Sequence, residues 1–414
     1  MPGHETLPRR ILLVHTHYRL PGGEDAVFAA ERALLEARGL EVFVYERSNT
    51  EADGSLLQKL LLPFRAVYSF KTKREVRALI RRHRIQLVHV HNTLLVTSPS
   101  VFAACFAEGV PVVQTLHNFR LFCPNGVFLR GGRVCEDCPR RSLLCAVRHR
   151  CYRGSLLQSA VCAFVYGFHR LLGTYRRVAF FTPTEFDRQK LLACNRTHRV
   201  FDPARIFVKP NPVSAPLPAG WSSPLPMAAR ENQVVYAGRL EELKGLRTVL
   251  AAWKLLEADP NAPRLLVAGD GPLADEARQT AGPNVHFCGR MAPDALHETM
   301  AHSLAVVAAS LCYESFALVP AEAQLVGTPV LASDIGNVGA AVTPGKTGAR
   351  FAPGDPQALA RAVQTLAREA GQYEPAAIRS EALRRFGGGP DADFALLLEG
   401  YRQVMAGSPA NRRT

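Results

Sequence analysis

A chain of 414 residues, 47% hydrophobic and 21% charged, has the apolar mass for two cored domains and is too ordinary in composition for a disordered or fibrous protein. Its net charge of +14 is uneven: residues 1–209 hold 32 Lys/Arg against 16 Asp/Glu, and residues 210–414 hold 18 against 20. A basic half calls for an anionic partner, such as a membrane surface, a polyphosphate-linked substrate or nucleic acid; no RNP, KH or helix-turn-helix pattern supports the last. No run of eighteen apolar residues is present, and the N-terminal apolar run is too short for a signal peptide. A cytoplasmic protein is therefore expected, with its ten cysteines reduced or metal-bound.

RILLVHTHY (Arg10–Tyr18) predicts a first buried strand. Gly22 and Gly23 follow it and permit a tight turn with close backbone approach, and Glu24 and Asp25 open a helix that stops at Gly39. LEVFVYE is the second strand. The loop is not GxGxxG, so it carries little dinucleotide signal by itself. Residues 56–86 mix Leu, Phe and Tyr with nine Lys/Arg, which fits either a solvated helix face or contact with an anionic membrane. In LVHVHNTLLVTSPS, His89 and His91 alternate and are expected on opposite faces, with His89 a core histidine and His91 and Asn92 free to face a ligand on the acceptor side. VPVVQTLHNFRLFCPNG supplies another buried strand, with His117 just past its carboxyl end.

Cys123, Cys135, Cys138 and Cys151 form C-x11-C-x2-C-x12-C, with Cys145 an alternative member. The segment, about 119–155, is basic and has little to bury, so a structural zinc on four thiolates is expected; a set of reduced buried thiols or a disulfide pair is the alternative. Arg153–Val178 is a long amphipathic pattern that fits an interfacial or a core helix. ARIFVKPNPV gives the last strand of a first domain spanning 1–212.

Residues 213–231 hold several Pro, Ser and Gly without periodicity and are read as a linker. A second domain, 232–395, restarts the strand–helix alternation. Its first strand ends at Gly238-Arg239, and Arg239 and Lys244 flank the loop before the next helix, which makes a diphosphate cradle. Turns at Gly269-Asp270-Gly271 and Gly289-Arg290 follow the next two strands. SLAVVAAS is a further strand, and LCYESFALVPAEAQLVG carries Glu314 on the loop after it and Glu322 inside a helix opening near Leu318. Pro320 suits the first turn of that helix, and the N–H groups around Phe316, Ala317, Leu318 and Val319 favour an anion. These features suit a phosphate-bearing, hydroxyl-rich ligand such as a nucleotide sugar. Residues 396–414 are read as a closing helix that packs back on the first domain, with a frayed tail from about Ser408.

ESFALVPAE, GRLEELKG, TLHNFRLFCPNG and Gly22-Gly23-Glu24 together resemble the retaining glycosyltransferases of family 4 over nearly the whole chain. The resemblance implies a GT-B architecture, two doubly wound α/β Rossmann-like domains facing a central cleft. It also implies that Arg239 and Lys244 neutralise the donor's pyrophosphate, that Glu322 holds the ribose, and that Glu314 orients the donor sugar. His117 would line the sugar-donor pocket, the glycine loop would lie under the donor phosphates with Glu24 on the acceptor side, and the Arg290 loop would approach the base. Retention at the anomeric carbon is likewise implied. Where the family often has a glutamate, this chain reads Gly336-Asn337-Val338-Gly339. No catalytic cofactor or divalent ion is expected. The basic half suits a glycan or lipid-linked acceptor at a membrane face, in polysaccharide or lipopolysaccharide assembly, and no nucleic acid. A nucleotide-sugar epimerase of the same architecture and a non-catalytic anion- or nucleic-acid-binding protein are the alternatives.

Overall fold

A computed structural model describes residues 7–18, 22–53, 56–387 and 389–407; the expected tail from Ser408 lies outside them. The chain divides into two compact units. The first comprises Met1–Val127, Glu136–Pro212 and Pro390–Thr414, and the second Phe128–Cys135 and Val213–Gly389. Among the described residues no helix is long and apolar enough to cross a membrane.

The first unit holds six strands, β1 (Arg10–His17), β2 (Glu41–Ser48), β3 (Leu87–Val90), β4 (Val112–Thr115), β5 (Ala179–Thr182) and β6 (Ile206–Val208). They form one parallel sheet in the order β2-β1-β3-β4-β5-β6. Helices cover such a sheet, so its central strands are buried on both faces and read as unbroken apolar runs; Ile11, Leu12, Leu13 and Val14 are all buried. The order reverses direction between β1 and β3, which makes a topological switch point at their carboxyl ends.

The closing helix, Pro390–Ala406, belongs to this unit and starts ahead of the expected break at 395–396. It contributes Leu397, Tyr401 and Val404 to the core formed by Ile11, Leu13, Phe28 and Phe181. The Tyr401 hydroxyl lies 2.9 Å from His89 Nδ1.

The second unit repeats the plan with β7 (Glu231–Ala237), β8 (Arg264–Ala268), β9 (Val285–Gly289), β10 (Ser303–Ala308), β11 (Val330–Ser333) and β12 (Gly348–Phe351). They run parallel in the order β9-β8-β7-β10-β11-β12, and the switch point lies between β7 and β10. The stretch expected to be a bare linker begins inside this unit: Val213 and Ala215 are buried in a core with Val235, Val306 and Val330. Apolar side chains in a Pro-rich, aperiodic stretch give no helical or strand signal, so their burial was not legible.

Candidate active site

In the second unit the carboxyl ends of β7 and β10 bring together groups far apart in sequence. Lys244 Nζ lies 2.7 Å from Glu314 Oε2. Burial works against the Lys244 ammonium, but the adjacent Glu314 carboxylate outweighs it and holds the lysine above its ordinary value. The loop carrying Lys244 can reach Glu314 because Gly245 has no side chain. Its φ is +71°, and an added Cβ would lie 1.9 Å from the carbonyl oxygen of Ala309. Leu311 N–H also donates to Leu243 O at 2.9 Å, tying the two loops by their backbones.

Arg239, nearly half exposed, pairs with Glu241 at 3.0 Å. Burial raises the Glu241 carboxyl above its usual range, with Arg239 and Lys244 pulling it back. Gly238 and Gly269 are in backbone contact: a Cβ on Gly269, at φ +143°, would sit 1.9 Å from Gly238 O. Two loops at the sheet edge are thus stacked without side chains between them, which leaves backbone accessible to a ligand. Arg290, one residue past β9, is exposed.

Helix Leu318–Leu325 places Pro320 in its first turn, where a missing N–H costs nothing. The N–H groups of Leu318 and Val319 have no intrahelical acceptor there, since the first four donors of any helix lack one. Glu322 sits farther along the helix, 4.0 Å from His297 Nε2. Two residues that sequence reasoning missed fix Glu314. The Ser310 hydroxyl donates to its carboxylate. Asn337 Nδ2 donates to the backbone oxygens of Glu314 and Ser315 at 2.7 and 3.0 Å. Asn337 lies on a short helix, Gly336–Ala340, not in a loop.

The first unit carries a second constellation, a small pocket lined by His91, Asn92, Gln114, His117, Asn118 and Arg120 among others. Behind His91 lies a buried charge pair, Glu31 with Lys209. Glu31 Oε2 is 3.6 Å from both His89 Nδ1 and His91 Nε2. His89 is buried, with Tyr401 and, at 2.7 Å, Thr115 on its ring nitrogens. The expectation that His89 and His91 point to opposite faces is wrong. Residues two apart along a strand share a face, and the rings stand 4.4 Å apart.

His91 Nδ1 lies 3.1 Å from His117 Nε2. Burial, reinforced by Lys209, lowers His117 to about 3. Burial and the neighbouring His89 and His117 lower His91 well below its ordinary value. Both rings are therefore neutral near pH 7 and act as hydrogen-bonding groups, not cations. Asn92 Nδ2 donates to Thr16 O at 2.9 Å, and its Oδ1 accepts from Leu94 N–H at 2.9 Å. Asn92 thus shapes the loop after β3.

At the carboxyl end of β1, Gly22 is extended (φ −140°, ψ −171°) and caps helix Gly23–Ala37. A Cβ on Gly22 would meet nothing within 4 Å; its carbonyl accepts from Asp25 N–H at 3.1 Å. Asp25 accepts from Gly22 N–H at 2.8 Å and faces His15 Nε2 and His17 Nδ1 at 3.0 and 2.9 Å. Burial would raise the Asp25 carboxyl, but the hydrogen bonds from His15, Gly22 and His17 prevail and lower it. Glu24 is different: burial lifts it to about 8, against the pull of Arg120. The Arg120 guanidinium donates to the Tyr18 hydroxyl at 3.0 Å in the same corner.

Of the cysteines, Cys138 is buried, and its thiol is pushed up to about 12 by burial and by neighbouring Cys123, Cys145 and Cys151. Cys135 belongs to the second compact unit.

A family model described as Glycosyltransferase Family 4 matches residues 21–215, and one described as Glycosyl transferases group 1 matches residues 231–369. The chain is 28% identical over 455 residues to a D-inositol 3-phosphate glycosyltransferase of Rhodococcus jostii (strain RHA1), covering 97% of this chain and 91% of that protein. Its fold matches sucrose-phosphate synthase from Thermosynechococcus elongatus with a TM-score of 0.66 at 17% identity, covering 97% of this chain and 100% of the other. It also matches Anabaena HepE, solved in complex with UDP-glucose, with a TM-score of 0.57 at 16% identity, covering 96% and 99%.

Proposed function

We propose, for a chain that belongs to glycosyltransferase family 4 and is a glycosyltransferase of GT-B fold, that it moves a sugar from a nucleoside-diphosphate donor to a glycan or lipid-linked acceptor with retention at the anomeric carbon. Assembly of cell-surface polysaccharide or lipopolysaccharide is the setting that fits a basic first half. The single observation that carries the reading is the Lys244–Glu314 pair at the switch point of the second unit, with Arg239 on the same loop.

The difficulty in the reaction is charge. As the glycosidic bond to the diphosphate lengthens, negative charge grows on the leaving oxygen. Fixed cations in a partly dehydrated site stabilise that charge without reorganising. Arg239 and Lys244 fill this role, aided by the open N–H groups at the start of helix Leu318–Leu325. In the unliganded protein Glu314 already neutralises Lys244, so the lysine is held in place before a phosphate arrives. A diphosphate taking over Lys244 frees the Glu314 carboxylate to accept from sugar hydroxyls and to steady the positive charge that develops on the sugar ring. Glu322 takes the ribose hydroxyls. In the first unit, neutral His91 and His117 offer hydrogen bonds to sugar hydroxyls without adding charge.

A thermal-shift screen against nucleoside diphosphates and their sugars tests the donor, with uridine first because Anabaena HepE was solved with UDP and UDP-glucose. Saturation at about 100 times Kd stabilises by roughly 2.7 kcal/mol. Product formation with a lipid-linked acceptor panel then tests transfer. Epimerised sugar formed with no acceptor present would contradict it.

A structural zinc on Cys138 with Cys123, Cys151 and Cys145, or with Cys135 as the fourth ligand, is proposed alongside. The spacing C-x2-C with flanking thiols supports it; among the described residues the groups whose ligand atoms already converge are His15, His17 and Asp25, and Glu31, His89 and His91, not these thiols. About one equivalent of zinc in purified protein is expected.

A further inference from the structure

The first unit exposes an apolar face that a folded domain of this size does not need. Phe64 and Phe70 are 74% and 79% exposed, and Phe164 and Leu171 are 61% and 89% exposed. Leu157, also exposed, Phe164 and Leu171 are each seven residues apart on helix Leu156–Leu171, so they form one stripe along it. The opposite side of that helix buries Cys162, Val165 and His169. The stripe continues onto a neighbouring helix: Leu56–Val67 packs against Leu156–Leu171, and the His169 ring donates to Val67 O at 2.8 Å. Phe64 and Phe70 flank that junction.

Charge says what covers the face. From residue 138 to residue 184 there are eight Arg and no Asp or Glu, and from residue 54 to residue 74 there are five Lys/Arg and none. Arg65, Lys71, Arg74, Arg153, Arg176 and Arg177 are exposed on these segments. Lys71 pairs with Glu75 at 3.9 Å, but cations far outnumber acids in these segments, a poor match to a protein partner of mixed charge. The segments match a bilayer, in which Phe and Leu enter the acyl boundary while Arg and Lys reach the phosphates.

We propose that this face, built on helices Leu56–Val67 and Leu156–Leu171 and the turn to Phe70, docks the protein on an anionic phospholipid membrane. The proposal deepens the lipid-linked acceptor reading above but does not depend on catalysis. Docking presents the first unit to acceptors that never leave the membrane.

Co-sedimentation with vesicles tests it, comparing neutral phosphatidylcholine with phosphatidylcholine containing phosphatidylglycerol. Binding to the anionic vesicles, weakening as salt rises, is expected. The double variant Phe70→Ser, Leu171→Ser removes two exposed side chains outside the candidate site, and circular dichroism checks that its fold is intact. It should bind the anionic vesicles at least about tenfold more weakly. Its UDP binding should be unchanged, which keeps this proposal separable from the donor assignment. Equal binding by both proteins, or no binding to anionic vesicles at low salt, would overturn the proposal. So would a wild-type dimer that the variant turns into a monomer, since the face would then cover a second copy of this chain.

Discussion

The ammonium of Lys244 and the carboxylate of Glu314, seventy positions apart, stand 2.7 Å from each other where β7 and β10 diverge. Each is the other's counter-ion until a ligand arrives. A Glu314→Gln variant therefore separates two roles. It leaves Lys244 without its resident anion, so UDP affinity should hold or rise. It also removes the carboxylate proposed to face the donor sugar, so transfer should fall at least about 100-fold, the usual cost of a lost electrostatic partner in the transition state. Calorimetry with UDP and a steady-state transfer assay check the two halves. A loss of UDP affinity with normal turnover would reverse the assignment.

The buried Glu31–Lys209 pair beneath His91 gives a stability test. Lys209→Met leaves a buried carboxylate with only histidines at 3.6 Å, and breaking such a pair costs about 3–5 kcal/mol. The double variant Glu31→Leu, Lys209→Met removes both charges and should recover most of that loss. Urea unfolding of the single and double variants measures the coupling. Additive losses would mean the two charges do not act as a pair.

Glu24 sets a pH dependence. Its carboxyl is raised from the ordinary 4.5 to about 8 by burial. The folded protein then binds more protons than the unfolded chain between those values. Stability from this group is fully present below about 4.5 and is lost as pH rises towards 8. The slope for one group is at most about 1.4 kcal/mol per pH unit. Glu24→Gln should flatten the profile across that window, as read by chemical denaturation at a series of pH values. An unchanged slope would show that Glu24 is ionised in the folded state.

Much of this was legible in the amino-acid order. Parallel strands are buried on both faces, so they appear as short apolar runs, and RILLVHTH and SLAVVA read directly as strands. The residues after those strands fall at the ligand edge of any such sheet, which is why Arg239, Lys244 and Glu314 could be placed. What escaped was pairing at long range. Nothing local marks Lys209 as the partner of Glu31, Asn337 as the support of the Glu314 loop, or Tyr401 as the partner of His89. His89 and His91 were misplaced because alternation was applied across two positions, where it restores the same face. The apolar stripes of residues 56–86 and 153–178 stayed open between a packed and a membrane-facing reading, because amphipathic periodicity alone does not say whether a stripe meets a core or a membrane.

The central claim is that the second unit grips a nucleoside diphosphate through Arg239 and Lys244. Calorimetric titration of UDP into the wild type and the Arg239→Ala, Lys244→Ala double variant tests it most directly, with circular dichroism confirming the fold of both. The account predicts saturable binding by the wild type and a loss of at least about 100-fold in the variant, as expected for two charge-assisted contacts. A folded variant that binds UDP as tightly as the wild type would contradict it.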